Sequence, residues 1–383
     1  MATMDVHADV QDYYGKQLQH SNDLKTDACC SKASIPLFIR NIISQIHPNV
    51  VARYYGCGLV FPPKLNGCRV LDLGCGSGRD VFILSSLVGA QGSVVGVDMT
   101  KEQLDVAQEY IIYHTKQFGF DSPNVDFRLG RIEHLIDEVA LEVDSLLGIL
   151  LRIPTLSNIL LLRKKCFPSG LYLHFSTFSF QYYRPQDPSI MSCTPGGEFY
   201  FSDVYADRPI AEELRRNKIL WGECLSGAVC ESDLITGALD IGFTRPILIT
   251  KQPIGVENKE LLGDIKFASC TYRMFKNSST KSGSSSTLSS CVADALVAYE
   301  VSMTHYEDEF QFDQTTIFKL HGKPERVSAE LAHMTIISRY ADNFKFSSVD
   351  DGKHILDSGN QASTSQTSTY SALPSCCRNK ACQ

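Results

Sequence analysis

RVLDLGCGSGRD, residues Arg69–Asp80, is the stretch that decides the fold of this chain. Its apolar run Val70–Leu73 predicts a short buried strand, and Val81–Val88 predicts the helix that follows. Between them lies a turn with three alternating glycines: Gly74, Gly76 and Gly78. Glycines let the backbone approach a ligand closely, and a helix start offers free N–H groups. A strand, a glycine turn and a helix start in this order predict a nucleotide pocket.

The spacing of the glycines separates two kinds of nucleotide pocket. Dinucleotide-binding folds use G-x-G-x-x-G, whereas this turn reads D-x-G-x-G-x-G from Asp72 onward. Asp98 ends the second apolar run, Val94–Val97, where a carboxylate can accept hydrogen bonds from both hydroxyls of a ribose. These features together resemble the Rossmann-like S-adenosylmethionine (SAM) methyltransferases. The alternative is a glycine turn with no ligand, but the full order of strand, glycines, helix, strand and acid favours a cofactor.

Composition excludes several other classes of protein. The 383 residues are 43% hydrophobic and 21% charged, as in ordinary soluble proteins, and the net charge of −7 gives no basic surface for nucleic acid. The most membrane-like stretch, Leu146–Leu162, is interrupted by Arg152 and Pro154, so we expect no spanning helix and no membrane partner. Fourteen cysteines, with no apolar signal core in Met1–His20, indicate a reducing compartment, and we expect a cytoplasmic protein.

Periodicity and composition predict four regions in an α/β chain. Residues 1–66 are expected to form an N-terminal helical cap with Cys29 and Cys57, and its helices include Ile35–Ile46. Residues 67–250 are expected to form the Rossmann-like SAM-binding sheet, with an anomalous part over 143–193. The remaining regions are a smaller C-terminal α+β module over 251–350 and a disordered, cysteine-containing tail over 351–383. Further strands are predicted over Val125–Leu129, Gly197–Val204, Ile247–Thr250 and Phe267–Phe275, and further helices over Asp5–Gln19, Lys101–Phe118, Ala211–Trp221, Glu231–Ile241 and Ala329–Tyr340.

Several longer stretches resemble the arsenite methyltransferases. They are DLKTDAC with Cys29, RYYGCGL with Cys57, RVLDLGCGSGRD, VVGVDMT with Asp98, GEFYFSDVYADR, LWGECLSGA with Cys224, and FASCTYRMFK. The resemblance covers most of residues 5–142 and 195–346. Many methyltransferases share the glycine motif, whereas RYYGCGL and LWGECLSGA are much more specific.

The resemblance implies an enzyme that transfers methyl groups from SAM to trivalent arsenic, which arrives as a thiol conjugate. Arsenic(III) is a soft acid that thiolates bind best, and three thiolates leave it a lone pair that can attack the sulfonium methyl. The family pattern assigns arsenic binding to Cys57, Cys224 and a cysteine in a central NCVxNL-type motif. Cys29 would take part in a disulfide that regenerates the trivalent state, with thioredoxin or glutathione as reductant.

The same resemblance implies a set of cofactor-binding residues. Asp72, Gly74, Gly76, Gly78 and Arg79 would surround the methionine part, Asp98 and Met99 would hold the ribose and adenosine, and Ile132 and Glu133 would flank the adenine. Tyr55 and Gly56 would shape the wall beside Cys57.

The chain departs from the family pattern at one place. No Asn-Cys pair occurs between Ile132 and Gly196, and the two cysteines present there, Cys166 and Cys193, have unmatched flanks. The segment is either a retained intron or wrongly joined exon, or a divergent loop. The third thiolate and the fourth strand are therefore left unassigned. The alternative functions are a catalytically impaired, SAM-binding, thiol-rich metalloid binder and another small-molecule methyltransferase.

The remaining cysteines have simpler interpretations. Cys68, Cys75 and Cys270 lie within or beside apolar runs, which predicts small core residues. Cys376, Cys377 and Cys382 form a CC-x4-C cluster in the tail, which either binds a soft metal or has no role.

Overall fold

The computed structural model describes most of the chain outside its two ends and its central segment. The described residues are 35–54, 60–130, 196–215, 217, 220, 225–240, 242–256, 259–277 and 294–349, together with the backbone of 159–164. They belong to two compact units, Met1–Ser279 and Thr280–Gln383, each of which is described by itself. Within the described residues, no helix has both the length and the apolar character needed to cross a membrane.

The first unit alternates helices with strands. Its helices are α1 (Leu37–Ile43), α2 (Pro48–Ala52), α3 (Arg79–Val88), α4 (Lys101–Glu109), α5 (Ile111–Gln117), α6 (Glu212–Arg215), α7 (Glu231–Asp240) and α8 (Lys259–Leu262). Its strands are β1 (Arg69–Leu73), β2 (Ser93–Asp98), β3 (Val125–Leu129), β4 (Ile159–Lys164), β5 (Glu198–Ala206), β6 (Val229–Cys230), β7 (Ile247–Ile254) and β8 (Phe267–Phe275). The predicted strands Val70–Leu73, Val94–Val97, Val125–Leu129 and Phe267–Phe275 all lie within these bounds.

The strands form one sheet in the order β3-β2-β1-β4-β5-β8-β7, and β6 pairs with β5. Strands β1 to β5 run parallel, whereas β8 pairs antiparallel with both β5 and β7. The strand order reverses direction between β1 and β4, and in sheets of this kind ligands bind outside the carboxyl ends of the strands at such a point. The sheet has the Rossmann-like topology that the sequence predicts, and it places the glycine turn after β1 at the edge where sheets of this kind bind ligands.

A strand occupies the fourth position that the sequence left unassigned. The run ILLLRK forms β4, which lies between β1 and β5 with Leu73 opposite Arg163 and Ser202 opposite Lys164. The sheet is therefore continuous across its centre, although this part of the chain lacks the family-like cysteine motif.

The boundary between the two units differs from the predicted one at residue 250. All nine residues of β8 pair with β5, from Glu198 opposite Phe275 to Ala206 opposite Phe267, so β8 belongs to the first unit. The division falls at Ser279, beyond β8. Local periodicity identified the strand but not the sheet to which it belongs, because its partner lies more than sixty residues earlier.

The predicted helix Lys101–Phe118 is interrupted at Tyr110. This residue ends α4 with φ −100° and ψ 10°, and its N–H donates to the carbonyl of Ala107 in a tightened last turn. Its ring stacks on the imidazole of His47, with the ring centroids 3.9 Å apart. Within the predicted helix Ala211–Trp221, α6 covers Glu212–Arg215, Asn217 is not helical and Leu220 is helical, and the remaining residues after Arg215 lie outside the described residues.

A buried histidine, His114, joins α5 to the start of α2. Its Nδ1 lies 2.8 Å from the carbonyl oxygen of Tyr110, and its Nε2 accepts a hydrogen bond from the N–H of His47 at 3.1 Å. This arrangement requires the neutral Nδ1–H tautomer. The ring is 1% exposed and stacks on Phe82 at 3.7 Å. The pKa of His114 is lowered from 6.5 to about 4, chiefly by burial and in smaller part by the neighbouring His47, whereas the hydrogen bond to Tyr110 opposes the shift.

Acidification should therefore destabilise the first unit through His114. Below about pH 6.5 the unfolded chain protonates this histidine while the folded chain keeps it neutral, so the free energy of unfolding falls as the pH drops from 6.5 toward 4. The loss should reach up to about 3 kcal/mol over that window. Urea unfolding at pH 7 and pH 5 measures it. His114→Asn should flatten the pH dependence, whereas His321→Asn, at an exposed histidine in the second unit, should leave it unchanged. An equally steep dependence in His114→Asn would contradict this assignment.

The second unit is the small α+β module. Strand β9 (Ala295–Tyr299) lies between β12 (Glu325–Val327) and β13 (Phe344–Ser348), and both pair with it antiparallel. A hairpin of β10 (Glu309–Gln311) and β11 (Ile317–Lys319), the helix α9 (Ala329–Ile337) and a 3-10 turn over Ala341–Asn343 complete it. Its core contains six buried aromatic residues, Tyr299, Phe310, Phe312, Phe318, Tyr340 and Phe344, together with aliphatic side chains such as Val297 and Ala332.

Candidate functional site

The glycine turn after β1 is held against the end of β2. The N–H groups of Gly74 and Cys75 both donate to the carbonyl of Val97, at 2.8 and 3.1 Å. The three alternating glycines have φ of +78°, +57° and +81° at Gly74, Gly76 and Gly78 respectively, a region that side chains other than glycine rarely adopt. The predicted glycine turn is therefore present, with a conformation that requires its glycines.

Close packing adds a second requirement at Gly78, which precedes α3. A Cβ atom on this residue would lie 2.7 Å from the ring of Phe127 and 3.1 Å from the Cβ of Ala107. The turn thus lies directly on β3 and α4, and no side chain can separate them.

Asp98 closes the glycine turn from the carboxyl end of β2. Its side chain is 1% exposed, and its carboxylate accepts the N–H of Gly76 at 2.7 Å and the N–H of Thr100 at 2.9 Å. An ionised carboxylate only accepts hydrogen bonds, and each of its oxygens has two lone pairs. A buried carboxylate fixed beside a glycine turn is suited to receive the hydroxyls of a ribose.

Two other predicted cofactor residues lie near the turn. Asp72 is fully buried on β1, in register between Gly96 of β2 and Leu162 of β4. Met99 is 6% exposed and follows Asp98 directly. Asp72, Asp98 and Met99 therefore all belong to the ends of the two central strands that flank the turn.

Arg79, the first residue of α3, supplies a positive charge at this site. Its Nε donates to Asp80 Oδ1 at 2.7 Å, and its guanidinium carbon lies 3.2 Å from the centroid of the Tyr54 ring. Burial lowers the pKa of Arg79 below its ordinary value, although Tyr54 opposes that shift. Within the described part of the chain, its buried Nη2 has no hydrogen-bond partner. The site therefore contains a buried donor that is suited to an anion.

Ser77 links the glycine turn to the segment that precedes Cys57. Its hydroxyl lies 2.9 Å from the carbonyl oxygen of Val50 and 3.3 Å from that of Arg53, within and just after α2. The Ser77 side chain is 2% exposed. The sequence analysis did not identify Ser77 or Tyr54 as site residues. Each is adjacent in sequence to a predicted site residue, which was the only signal. Their contact could not be predicted locally, because it joins segments more than twenty residues apart.

Several predicted site residues lie outside the described residues. They are Cys29, Tyr55, Gly56, Cys57, Ile132, Glu133 and Cys224. Their described neighbours are well anchored: Tyr54 N–H donates to Val51 O at 3.1 Å, and both Leu225 and Ser226 donate to the carbonyl of Leu220. The structure thus brings the described members of the predicted cofactor set together around the turn, and their roles, like those of the three cysteines, stay predictions.

The cysteines predicted to be core residues are confirmed. Cys68, Cys75 and Cys270 are 3%, 9% and 1% exposed, and burial raises the pKa of the Cys270 thiol to about 12. These thiols are therefore poorly suited to act as thiolate ligands. Among the residues that the structure describes, no group of three or more histidine, cysteine or acidic side chains is arranged to hold a metal ion.

Comparison with known families agrees with both units. A family described as a methyltransferase domain matches residues 64–263, and one described as the arsenite methyltransferase C-terminal domain matches residues 292–382. The chain is 39% identical over 350 residues to arsenite methyltransferase of Rattus norvegicus, covering 90% of this chain and 86% of that protein. The chain belongs to the arsenite methyltransferase family. The arsenite methyltransferase of Aquipseudomonas alcaligenes is 46% identical over 280 residues, covering 71% and 72% of the two chains.

A solved structure of the same family shares the fold. The arsenic(III) S-adenosylmethionine methyltransferase of Chlamydomonas reinhardtii superimposes with a TM-score of 0.65 at 29% identity. The match covers 82% of this chain and 96% of that one. The resemblance drawn from RYYGCGL, LWGECLSGA and the glycine turn is therefore confirmed at the level of the family.

Proposed function

We propose that this chain transfers methyl groups from SAM to thiol-bound trivalent arsenic, giving methylated arsenicals and S-adenosylhomocysteine. The observation that carries the proposal is the glycine turn closed on the buried carboxylate of Asp98, in a chain of the arsenite methyltransferase family. That geometry supports a role in binding the ribose of SAM, and the family supports the class of substrate.

The described residues fit SAM by the chemistry of their donors and acceptors. The Asp98 carboxylate is an acceptor of the kind that ribose hydroxyls need, and the buried Nη2 of Arg79 is a charged donor for the carboxylate of the methionine part. Gly74, Gly76 and Gly78 leave room for the methionine backbone, and Met99, Ile132 and Glu133 would surround the adenosine. When bound, SAM supplies an electrophilic methyl group on a sulfonium. The protein contributes chiefly by fixing the two reactants in line.

The thiol groups of Cys57 and Cys224 are proposed to hold the arsenic. Thiolates are the soft ligands that a soft centre such as arsenic(III) prefers, and the core cysteines are excluded by burial. Cys29 is proposed to form the disulfide that returns arsenic to the trivalent state, with thioredoxin or glutathione as reductant. Such thiol chemistry needs a reducing environment, so we place the protein in the cytoplasm, with arsenic detoxification as its role.

A second candidate function follows from the central segment. The sequence over 143–193 has no Asn-Cys pair, so the chain has two family-like arsenic cysteines and lacks the third. A chain with two thiolates would bind SAM and arsenic yet transfer methyl groups slowly. This candidate shares every binding residue with the first and differs from it only in rate.

Arsenite binding separates the proposed thiolates from the other cysteines. Cys57→Ser and Cys224→Ser should each weaken arsenite affinity by at least about tenfold, because each replaces a soft thiolate ligand of the arsenic with a hard hydroxyl. Equilibrium dialysis of the purified chain against arsenite measures this. Cys68→Ala, at a buried core cysteine, is the control and should leave the affinity unchanged. Parent-like binding in both serine variants would contradict the assignment of these thiols.

A further inference from the structure

The guanidinium of Arg79 is fixed on two sides by neighbouring side chains. The Tyr54 ring covers one face, at 3.2 Å from the guanidinium carbon to the ring centroid, and Asp80 accepts from Nε at 2.7 Å. The Arg79 side chain is 11% exposed. Stacking on an aromatic face fixes the plane of a guanidinium and leaves the N–H groups along its edge available to an acceptor.

That edge carries a donor whose partner is missing from the described part of the chain. Arg79 Nη2 is buried and has no hydrogen-bond partner there. Leaving a buried charged donor unsatisfied is costly, so the arrangement favours an anionic acceptor at this position. The fork of a guanidinium matches a carboxylate in particular.

The position of Tyr54 is set by the glycine turn itself. Ser77, inside the turn, bonds through its hydroxyl to the carbonyl oxygens of Val50 and Arg53. Tyr54 is the next residue after Arg53, and its own N–H bonds to Val51. Ser77 in the turn and Arg79 at the start of α3 therefore lie two residues apart. Ser77 contacts the backbone of the segment Val50–Tyr54, and Arg79 contacts its aromatic ring.

We propose that Tyr54 is a positioning residue that orients Arg79 toward the carboxylate of the cofactor's amino-acid group, and that Ser77 holds Tyr54 in place. The inference rests on the proposed function, because it requires a cofactor that carries an amino-acid group. It adds a determinant of specificity: the stacked arginine distinguishes SAM and S-adenosylhomocysteine from nucleosides that lack the carboxylate.

Two ligands separate a positioning role from a structural one. S-adenosylhomocysteine carries the amino-acid group, whereas 5′-methylthioadenosine has the same nucleoside and thioether without it. Calorimetry on the full chain should show that Tyr54→Leu lowers the affinity for S-adenosylhomocysteine by about ten- to thirtyfold, the range of a desolvated cation–π contact. The affinity for 5′-methylthioadenosine should stay within about twofold, since its contacts do not include Arg79. Tyr54→Phe, which keeps the ring face, should bind S-adenosylhomocysteine within about threefold of the parent.

Two further variants complete the test. Ser77→Ala should lower S-adenosylhomocysteine affinity selectively and by less than Tyr54→Leu, because the segment loses one of its attachments. Tyr113→Leu, at a 42% exposed tyrosine on α5, is the matched control and should change neither affinity.

The outcomes are distinguishable. The positioning role would be overturned if Tyr54→Leu lowered the affinities for both ligands equally. It would also be overturned if Tyr54→Phe lowered S-adenosylhomocysteine affinity as much as Tyr54→Leu does. Neither result would contradict the proposal that the chain binds SAM. If the parent chain bound neither ligand, the proposed function itself would fail, and this inference with it.

Discussion

Replacing Asp98 by alanine is expected to weaken the binding of S-adenosylhomocysteine by on the order of a hundredfold. The carboxylate is the acceptor for two backbone N–H groups, those of Gly76 and Thr100, and it is 1% exposed. Alanine would leave both donors buried without this acceptor and would remove the proposed partner of the ribose hydroxyls. The glycine turn would then lose its attachment to the end of β2 at Gly76, so the shape of the site and its chemistry are affected together.

Two variants control this measurement by calorimetry. Asp98→Asn keeps one carbonyl oxygen, so its affinity for S-adenosylhomocysteine should lie between those of the parent and Asp98→Ala. Asp105→Ala removes an exposed carboxylate on the next helix, whose ion pair with Lys101 lies at the surface, and such pairs contribute about 1 kcal/mol or less to stability. Its affinity should match the parent. Thermal unfolding shows whether Asp98→Ala remains folded, and unchanged affinity in a folded Asp98→Ala would exclude Asp98 from the site.

The glycine turn could be predicted because all of its signals lie close together in the sequence. The apolar run, the alternating glycines and the helix start occupy about twenty consecutive residues, and Asp98 follows at the end of the next strand. In the structure these features meet at one edge of the sheet, since the carboxyl ends of adjacent parallel strands share that edge. The order of these features along the chain was therefore enough to predict that the glycine turn and Asp98 lie close together.

Features that depend on distant partners could not be predicted in the same way. β8 was recognised as a strand, but its pairing with β5 depends on residues about seventy positions earlier. The helix is interrupted at Tyr110, whose ring stacks on the distant His47, although the helical periodicity of the sequence continues through this position. The link between Ser77 and the segment before Tyr54 could not be predicted either, because no local pattern connects a serine in a glycine turn to a tyrosine after a helix.

In the central segment, the chain is expected to keep the strand that the sheet needs but to lack a cysteine that arsenic methylation needs. β4 fills the sheet beside β1, and its register places Arg163 opposite Leu73, the residue that enters the glycine turn. Ligands bind at this edge, outside the carboxyl ends of β1 and β4. The resemblance implies an Asn-Cys pair in this region, whereas the described strand ends in Arg163 and Lys164, and Cys166 is the next cysteine along the chain. The sheet is thus preserved at a position where the third thiolate is missing from the pattern.

The chain is therefore expected to methylate arsenite on the order of a hundredfold more slowly than a chimera in which residues 143–193 are replaced by a family stretch with an NCVxNL motif. Two thiolates can bind arsenic with a small thiol completing its coordination, but the lone pair would then be poorly aimed, and a misplacement of about 1 Å can cost roughly a hundredfold in rate. The measurement is the initial rate of S-adenosylhomocysteine formation at saturating SAM and arsenite, with S-adenosylhomocysteine affinity as the control for an intact cofactor site. Cys166→Ser in the parent chain should leave the slow rate unchanged. Equal rates in chain and chimera, together with a loss in Cys166→Ser, would instead make Cys166, two residues beyond β4, the third thiolate.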